Sequence, residues 1–311
     1  MKKTTVTIGI PAYQAELNIK NLLNSLLKQE QKNIKIEKII VYADGCTDLT
    51  APIAKSVKNK MINVVSSKKN HGFAYALQFL ISRNNSEIFI ILNDDIRIES
   101  SKAVNELALP IVKNKKVGLV GGNIKALFPE TFIGRCIYSS YLAFLSLRYS
   151  IKKGETDLTC DGKILALSKD FAKTLKLTKF TVGNVDIYLY YENLKQGRIY
   201  KFAKKAEVFF RLPETIADFR NQEARSAVSR RIVKERFGSL FMENHKFPKV
   251  LYWNSIIKTL LKYPLETLFF KLFINTRLNV QKKSYSKWKL ALTTKKLSIL
   301  GIDIEALLKQ L

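Results

Sequence analysis

The chain has 311 residues, 47% of them hydrophobic, with 53 Lys and Arg against 26 Asp and Glu and a formal net charge of +27. That apolar share supports a sizeable core in one large domain or two ordinary ones, and the charge draws the protein to polyanions: nucleic acid, an anionic membrane face or phosphorylated substrates. No run of eighteen apolar residues occurs, which argues against a membrane-spanning helix, while three scattered cysteines (Cys46, Cys136, Cys160) and two histidines argue against a zinc centre and fit a reducing, cytoplasmic compartment.

The first 125 residues alternate strand and helix. The opening MKKTTVTIGIPAY has an apolar run too short for a signal peptide and reads as a first strand. Ile19, Leu22, Leu23, Leu26 and Leu27 follow at helical spacing. IEKIIVYAD (36–44) and INVVSS (62–67) are the second and third strands, GFAYALQFLI (72–81) a helix, EIFIILND (87–94) the fourth strand, 100–112 a helix and VGLVGGNI (117–124) a fifth strand. Near-continuous apolar strands in a βαβ rhythm mean an α/β fold with a mainly parallel sheet covered on both faces. Beyond residue 130 the expected elements are an aromatic-rich helix at 133–149, a strand KILALS (163–168), a helix at 184–196, a short strand AEVFF (206–210) and a long basic helix over 213–237. From about 248 the chain is helical and basic. The excess charge is heaviest at this end, where residues 221–311 hold 18 Lys and Arg against 6 Asp and Glu. A division at 1–230 and 231–311 follows.

Ligands of parallel sheets bind beyond the carboxyl ends of the strands. Polar clusters stand there after each of the first four: Tyr13, then Asp44, then Asn70 and His71, then Asn93-Asp94-Asp95. Asp44 before Gly45 suits a sharp turn, with Thr47 or Asp48 to cap the next helix, and a rim carboxylate also accepts hydrogen bonds from a base or ribose. Adjacent carboxylates at the end of a buried strand repel, and a divalent ion, Mg²⁺ or Mn²⁺, relieves that repulsion with hard oxygen ligands. The bland alternative is one Asp capping a helix and the other in water.

These motifs resemble family 2 glycosyltransferases with the GT-A fold, from VTIGIPAYQAELNI through VYADGCTDLT, NHGFAYALQ, ILNDDI and VGLVGG, and weakly on to about residue 230. The resemblance implies that Pro11, Ala12, Tyr13, Glu16 and Asp44 hold the nucleotide of a donor, usually uridine. Asn70, His71 and Gly72 would complete that loop wall, and His71 would contact base or phosphate. Asp95 would be the main metal ligand, assisted by Asn93 or Asp94, with Asn93 standing where the family has its first Asp. The catalytic base falls in TVGNVDIYLYYENLKQG, where Gly183 and Asn184 replace the usual acidic pair and Asp186 survives. Asp186 is therefore the expected base for an inverting transfer, with Asp161 of TCDGKILALS as its rival. Gln222 and Arg225 match the Gln-X-X-Arg helix of polysaccharide synthases, whose Trp is here Ser226, which speaks against processive synthesis; Arg225 would reach a phosphate.

The expected activity is thus transfer of a sugar from a nucleotide donor, uridine diphosphate first, to a hydroxyl of a glycan or lipid-linked saccharide. Rival readings are a sugar nucleotidyltransferase, though no basic Gly-rich loop follows the first strand, and a basic nucleic-acid or membrane-binding protein without catalysis. Specific nucleic-acid binding leaves the four rim clusters unexplained. In the tail, Ile257, Leu260, Leu261, Leu265, Leu268, Phe269 and Leu272 fall at helical spacing, interrupted by Pro264. The first expectation is that this face packs on its own domain. The second is that it enters an anionic bilayer, aided by the lysine-rich stretch 282–296 with Tyr285 and Trp288.

Overall fold

The computed structural model describes residues 2–177, 185–246, 248–274 and 292–295. Its strands are β1 Thr4–Ala12, β2 Ile34–Asp44, β3 Ile62–Ser67, β4 Ile88–Leu92, β5 Ile96–Arg97, β6 Val117–Ala126, β7 Ile164–Ser168 and β8 Ile199–Phe210. They form one sheet in the order β3-β2-β1-β4-β7-β6-β8-β5. β1 to β4 are parallel. β7 enters antiparallel between β4 and β6, β6 and β8 are parallel, and β5 pairs antiparallel with β8.

Side chains of the central strands alternate between two cores, as a sheet covered on both faces requires. Ile8, Ile39, Val41, Ile88, Ile90 and Ala166 face one core. There they meet α1 (Ile19–Leu27), α2 (Thr50–Ser56) and α4 (Ala103–Lys113) through Leu22, Ile53 and Leu107. Ile40, Phe89, Ile91 and Leu165 face the other core. Here α3 (Phe73–Ser82), α6 (Lys169–Thr174) and α7 (Val185–Lys195) cover them with Leu80, Phe171 and Leu189. The β1 side of that second core is thin: a Cβ on Gly9 would stand 2.6 Å from the Phe89 ring.

The carboxyl-terminal half adds α5 (Phe132–Ser150), α8 (Ile216–Asn244, kinked at Gly238), α9 (Lys249–Lys262), α10 (Pro264–Phe269), a π-helical turn Phe270–Ile274 and the short α11 (Leu292–Lys295). Pro264 starts α10 at its first turn, so the expected break is real. β8 is longer than the expected 206–210: residues 199–203 also pair with β6, and the register then shifts past Lys204 and Lys205, whose charges with that of Lys201 hide the strand pattern. The first expectation for the tail fails. Ile257, Leu260, Leu261, Leu265, Leu268 and Leu272 are all exposed, and only Phe269 is half-buried. Most of the lysine-rich stretch 282–296, including Tyr285 and Trp288, lies outside the described residues, as do Gly183 and Asn184.

The close approach of Gly9 to Phe89 yields a double-mutant test. Gly9→Ala destabilises the fold by about 1–3 kcal/mol through overpacking. Phe89→Leu opens the space, so urea melts show the double variant more stable than the sum of the singles; strict additivity would mean the two side chains do not compete.

Candidate active site

The rim loops are tied to one another through backbone donors. Tyr13 N donates to Asp94 Oδ2 at 2.8 Å. Buried Asn18, just ahead of α1, donates from Nδ2 to Asp94 O (2.6 Å) and Ile96 O (2.9 Å), fixing the turn after β4. Asp44 accepts from His71 N (2.9 Å) and Gly72 N (2.7 Å), with His71 Nδ1 at 3.2 Å. The two loops touch only because Gly45 has φ +66°, where a Cβ would lie 2.3 Å from Asn70 N.

The expected nucleotide residues therefore take distinct places. Pro11 and Ala12 are buried, paired with Tyr42 and Ala43, and shape the end of β1. Glu16 accepts from Leu49 N at 2.9 Å and, like Asp44, spends its carboxylate on a neighbouring loop. Asp48 Oδ1 accepts at 3.1 Å from the backbone N–H of Thr50, the first residue of α2, although the N-cap position itself is Leu49. Asn70 and His71 stay exposed on the rim, His71 stacked on Tyr75 at 4.4 Å between centroids.

The acidic turn sits at the middle of this rim. Asp94 is buried and ion-pairs with Lys295, which α11 brings from the far end of the chain. Burial raises the Asp94 pKa, Lys295 opposes the rise and Asp95 adds to it. Burial works against the Lys295 charge too, but Asp94 and Asp95 outweigh it and hold the ammonium above its ordinary value. α11 is anchored by Thr293, whose N donates to Asp218 Oδ2 at 3.2 Å and whose Oγ1 accepts from Glu214 N at 3.3 Å. Asn93 Oδ1 and Asp95 Oδ1 are buried with no hydrogen-bond partner. Unpaired hard oxygens in such a place suit a divalent ion. No group of three His, Cys, Asp or Glu side chains in metal-binding arrangement exists among the described residues. The pair thus fits an ion that completes its shell with substrate oxygens and water.

The antiparallel entry of β7 sets a second loop against this turn. Lys163 O accepts from Asn93 N at 3.1 Å, and Lys163 Nζ lies 3.6 Å from Asp161. Burial disfavours the Lys163 charge, but Asp161, Asp95 and Asp186 outweigh burial and raise its pKa. Burial likewise pushes Asp161 up, yet Lys163 and Arg148 win and keep its pKa below the usual value. Asp186, in the first turn of α7, is pushed up to about 6, chiefly by burial and then by Asp161, while Gly162 N, donating to Oδ2 at 3.0 Å, restrains the rise. Two neighbouring carboxyls are thereby driven apart in acidity.

Asp161 and Asp186 line a cavity of about 530 Å³ with Gln222, Arg230, His245 and Tyr252. Gln222 of the expected motif is thus at the site. Arg225, one turn on, is half-buried and feels Asp95 and Asp218, though burial still lowers its pKa. Sequence reasoning missed Lys163, Lys295 and the pair Asp157–His245, which meets at 2.6 Å on the cavity wall with Tyr191 OH on Asp157 at 3.1 Å. Lys163 stood in the quoted TCDGKILALS, but only the antiparallel β7 turns that loop to the acids. Lys295 had been counted among the lysines of a membrane-facing stretch.

Comparison with known proteins bears on the family and the fold. The family described as Glycosyl transferase family 2 matches residues 7–175. A stretch of 103 residues is 30% identical to the O-antigen chain rhamnosyltransferase RfbN of Salmonella typhimurium, spanning 33% of this chain and 32% of that one. The chain thus matches only about a third of the length of that curated relative. The mannosyltransferase PcManGT from Pyrobaculum calidifontis, in complex with GDP-Man and Mn²⁺, superposes with a TM-score of 0.55 at 17% identity, covering 86% of this chain and 73% of that one. Glucosyl-3-phosphoglycerate synthase from Mycobacterium tuberculosis, in complex with Mn²⁺, UDP and glucosyl-3-phosphoglycerate, gives 0.52 at 16% identity, covering 76% and 80%. These likenesses establish a GT-A-like fold.

The raised Asp186 pKa has a signed consequence for stability. Its folded value of about 6 lies above the ordinary 3.8, so its contribution is intact below pH 4 and is lost as pH rises through 6. Asp186→Asn removes that loss, so between pH 4 and 7.5 the variant gains about 3 kcal/mol on the wild type in urea unfolding. An unchanged difference would mean an unperturbed carboxyl.

Proposed function

Because the chain belongs to glycosyl transferase family 2, which matches more than half of it, we propose that it is an inverting glycosyltransferase. It moves a sugar from a nucleoside-diphosphate donor, uridine diphosphate first, to a hydroxyl of a glycan or lipid-linked saccharide. The observation that carries this reading is the place of Lys163, whose ammonium lies 3.6 Å from Asp161 and feels the charges of Asp95 and Asp186 as well. One cation thus links the acidic turn expected to face the diphosphate to the carboxyl expected to face the acceptor.

The roles follow from the environments. Asp186 is the general base: a carboxyl with a pKa of about 6 is ionised at neutral pH and still basic enough to take a proton. Asp161, held acidic by Lys163 and Arg148, is a poorer base and serves to keep the lysine charged and Asp186 raised. The acceptor oxygen attacks the anomeric carbon from the face opposite the diphosphate. Its proton passes to Asp186, and the carbon–oxygen bond to the nucleoside diphosphate breaks with its electron pair staying on the phosphate. Lys163 and Arg225 supply fixed positive charge near the departing anion. A divalent ion held by Asp95 with Asn93 would add Lewis-acid charge to that same leaving group. Support for such an ion and donor comes from the unpaired Asn93 and Asp95 oxygens and from relatives solved with Mn²⁺ and UDP or GDP-Man. The rhamnosyltransferase relative acts on an O-antigen chain, which fits a saccharide acceptor.

Two variants test the assignment. Asp95→Ala lowers nucleotide release from a donor panel by about a hundredfold or more, and Mn²⁺ no longer tightens UDP or GDP binding in calorimetry, while the circular dichroism spectrum is unchanged. Full activity, or a preserved Mn²⁺ effect, would refute the metal role. Asp186→Asn lowers kcat by about 10²–10⁴-fold with donor affinity unchanged. In the wild type kcat/KM climbs with pH through about 6 and then levels. An Asn variant with wild-type turnover transfers the role to another group.

A further inference from the structure

Helices α9 and α10 are amphipathic the wrong way round for a water-facing surface. Their inward positions are Ser255, Thr259 and Thr267, each 5–6% exposed. Ser255 Oγ donates to Leu251 O at 2.8 Å and Thr259 Oγ1 to Ser255 O at 2.9 Å, so the two hydroxyls of α9 sit inside by bonding their own helix. The outward positions are apolar: Val250 is 70% exposed, Trp253 59%, Ile257 52%, Leu261 81%, Leu265 72% and Leu268 54%. Large side chains at helical spacing over two successive helices do not stay in water without reason. Exposed Lys249, Lys258 and Lys262 lie among them. The one acid between 246 and 274 is Glu266, which is half-buried and 3.9 Å from Arg135.

We propose that this face of α9 and α10 docks on an anionic lipid bilayer, lying in the plane of the interface. An apolar strip with an ammonium fringe and no outward acid complements acyl chains beneath a layer of anionic head groups. The helices lie on the membrane and do not cross it: no described helix is long and apolar enough to span. The inward side of the same elements carries a second consequence. Tyr252 and Ile256 of α9, Thr267 of α10 and Phe270 of the turn that follows line the cavity that Asp161 and Asp186 also line. An acceptor anchored in the bilayer by an apolar tail would bring its hydroxyl to Asp186 without leaving the membrane. That consequence rests on the transferase reading; the docking surface does not.

The test uses the full chain with Trp288→Phe, leaving Trp253 as the one tryptophan. It floats with vesicles of phosphatidylcholine and phosphatidylglycerol, floats less as salt rises, and its Trp253 emission shifts to the blue. Leu261→Glu with Leu265→Glu, neither in the cavity wall, weakens flotation by about tenfold or more while nucleotide release with a water-soluble acceptor is retained. Flotation persists in Asp186→Asn, which separates docking from catalysis. Failure to float, or flotation untouched by the double Glu variant, overturns the proposal. So does a dimer that the variant dissociates, which assigns the face to a second copy. Trp253 emission already blue and shielded from quenchers without lipid overturns it as well, assigning the face to the chain's own C-terminal residues.

Discussion

Four carboxyl groups converge on the end of β4, and the surrounding structure is arranged to tolerate them. Asp94 and Asp95 arrive on the turn that follows the strand, Asp161 on the loop before β7 and Asp186 on the first turn of α7. Like charges gathered out of water repel and lose hydration, a cost of several kcal/mol for each ion left uncompensated. Lys163 answers from inside the cluster and Lys295 from the last described segment of the chain. The backbone answers too, through Tyr13 N and Gly162 N, while the side-chain amide of Asn18 fixes the turn by donating to Asp94 O. Loosening any of these would release the turn that holds Asn93 and Asp95 in place.

The same crowding sorts the acids into roles. Asp161 sits beside two cations and is held ionised; Asp186 sits in the low-dielectric wall beside Asp161 and is held weakly acidic. Neighbouring titratable groups pushed in opposite directions are how one fold keeps a fixed charge and a proton acceptor side by side. Asp44 and Glu16 have another task. Their carboxylates hold neighbouring loops by accepting backbone N–H bonds, so they shape the rim by positioning it.

The carboxyl-terminal helices tie this centre to the protein's outer surface. α5, α8 and α9 wall the cavity, and α9 and α10 turn hydroxyls inward and hydrocarbon outward. A chain with a formal charge of +27 tolerates such an exposed apolar face because self-repulsion opposes association. α11 meanwhile ties Thr293 to the start of α8 and Lys295 to Asp94. The wall of the cavity and the charge balance of the rim thus both depend on sequence far from the β-strands.

The first half of the architecture was legible in the sequence because its signals are local. Continuous apolar runs such as IFIIL and the leucine spacing of α1 give strand and helix with no knowledge of partners, and polar residues at strand ends mark the rim of a parallel sheet. Asp95, Asp94 and Asp186 could be singled out on that basis and by resemblance. Other features were settled by pairings that no local pattern carries. The direction of β7 brings Lys163 to Asn93, the length of β8 is set by β6, and a lysine 201 residues beyond Asp94 closes on it. The tail shows the limit most plainly. Helical spacing fixed which residues of α9 and α10 share a face, but periodicity is blind to which face turns inward; that was decided by packing of both helices on α5, which leaves Ser255, Thr259 and Thr267 buried and the leucines outside.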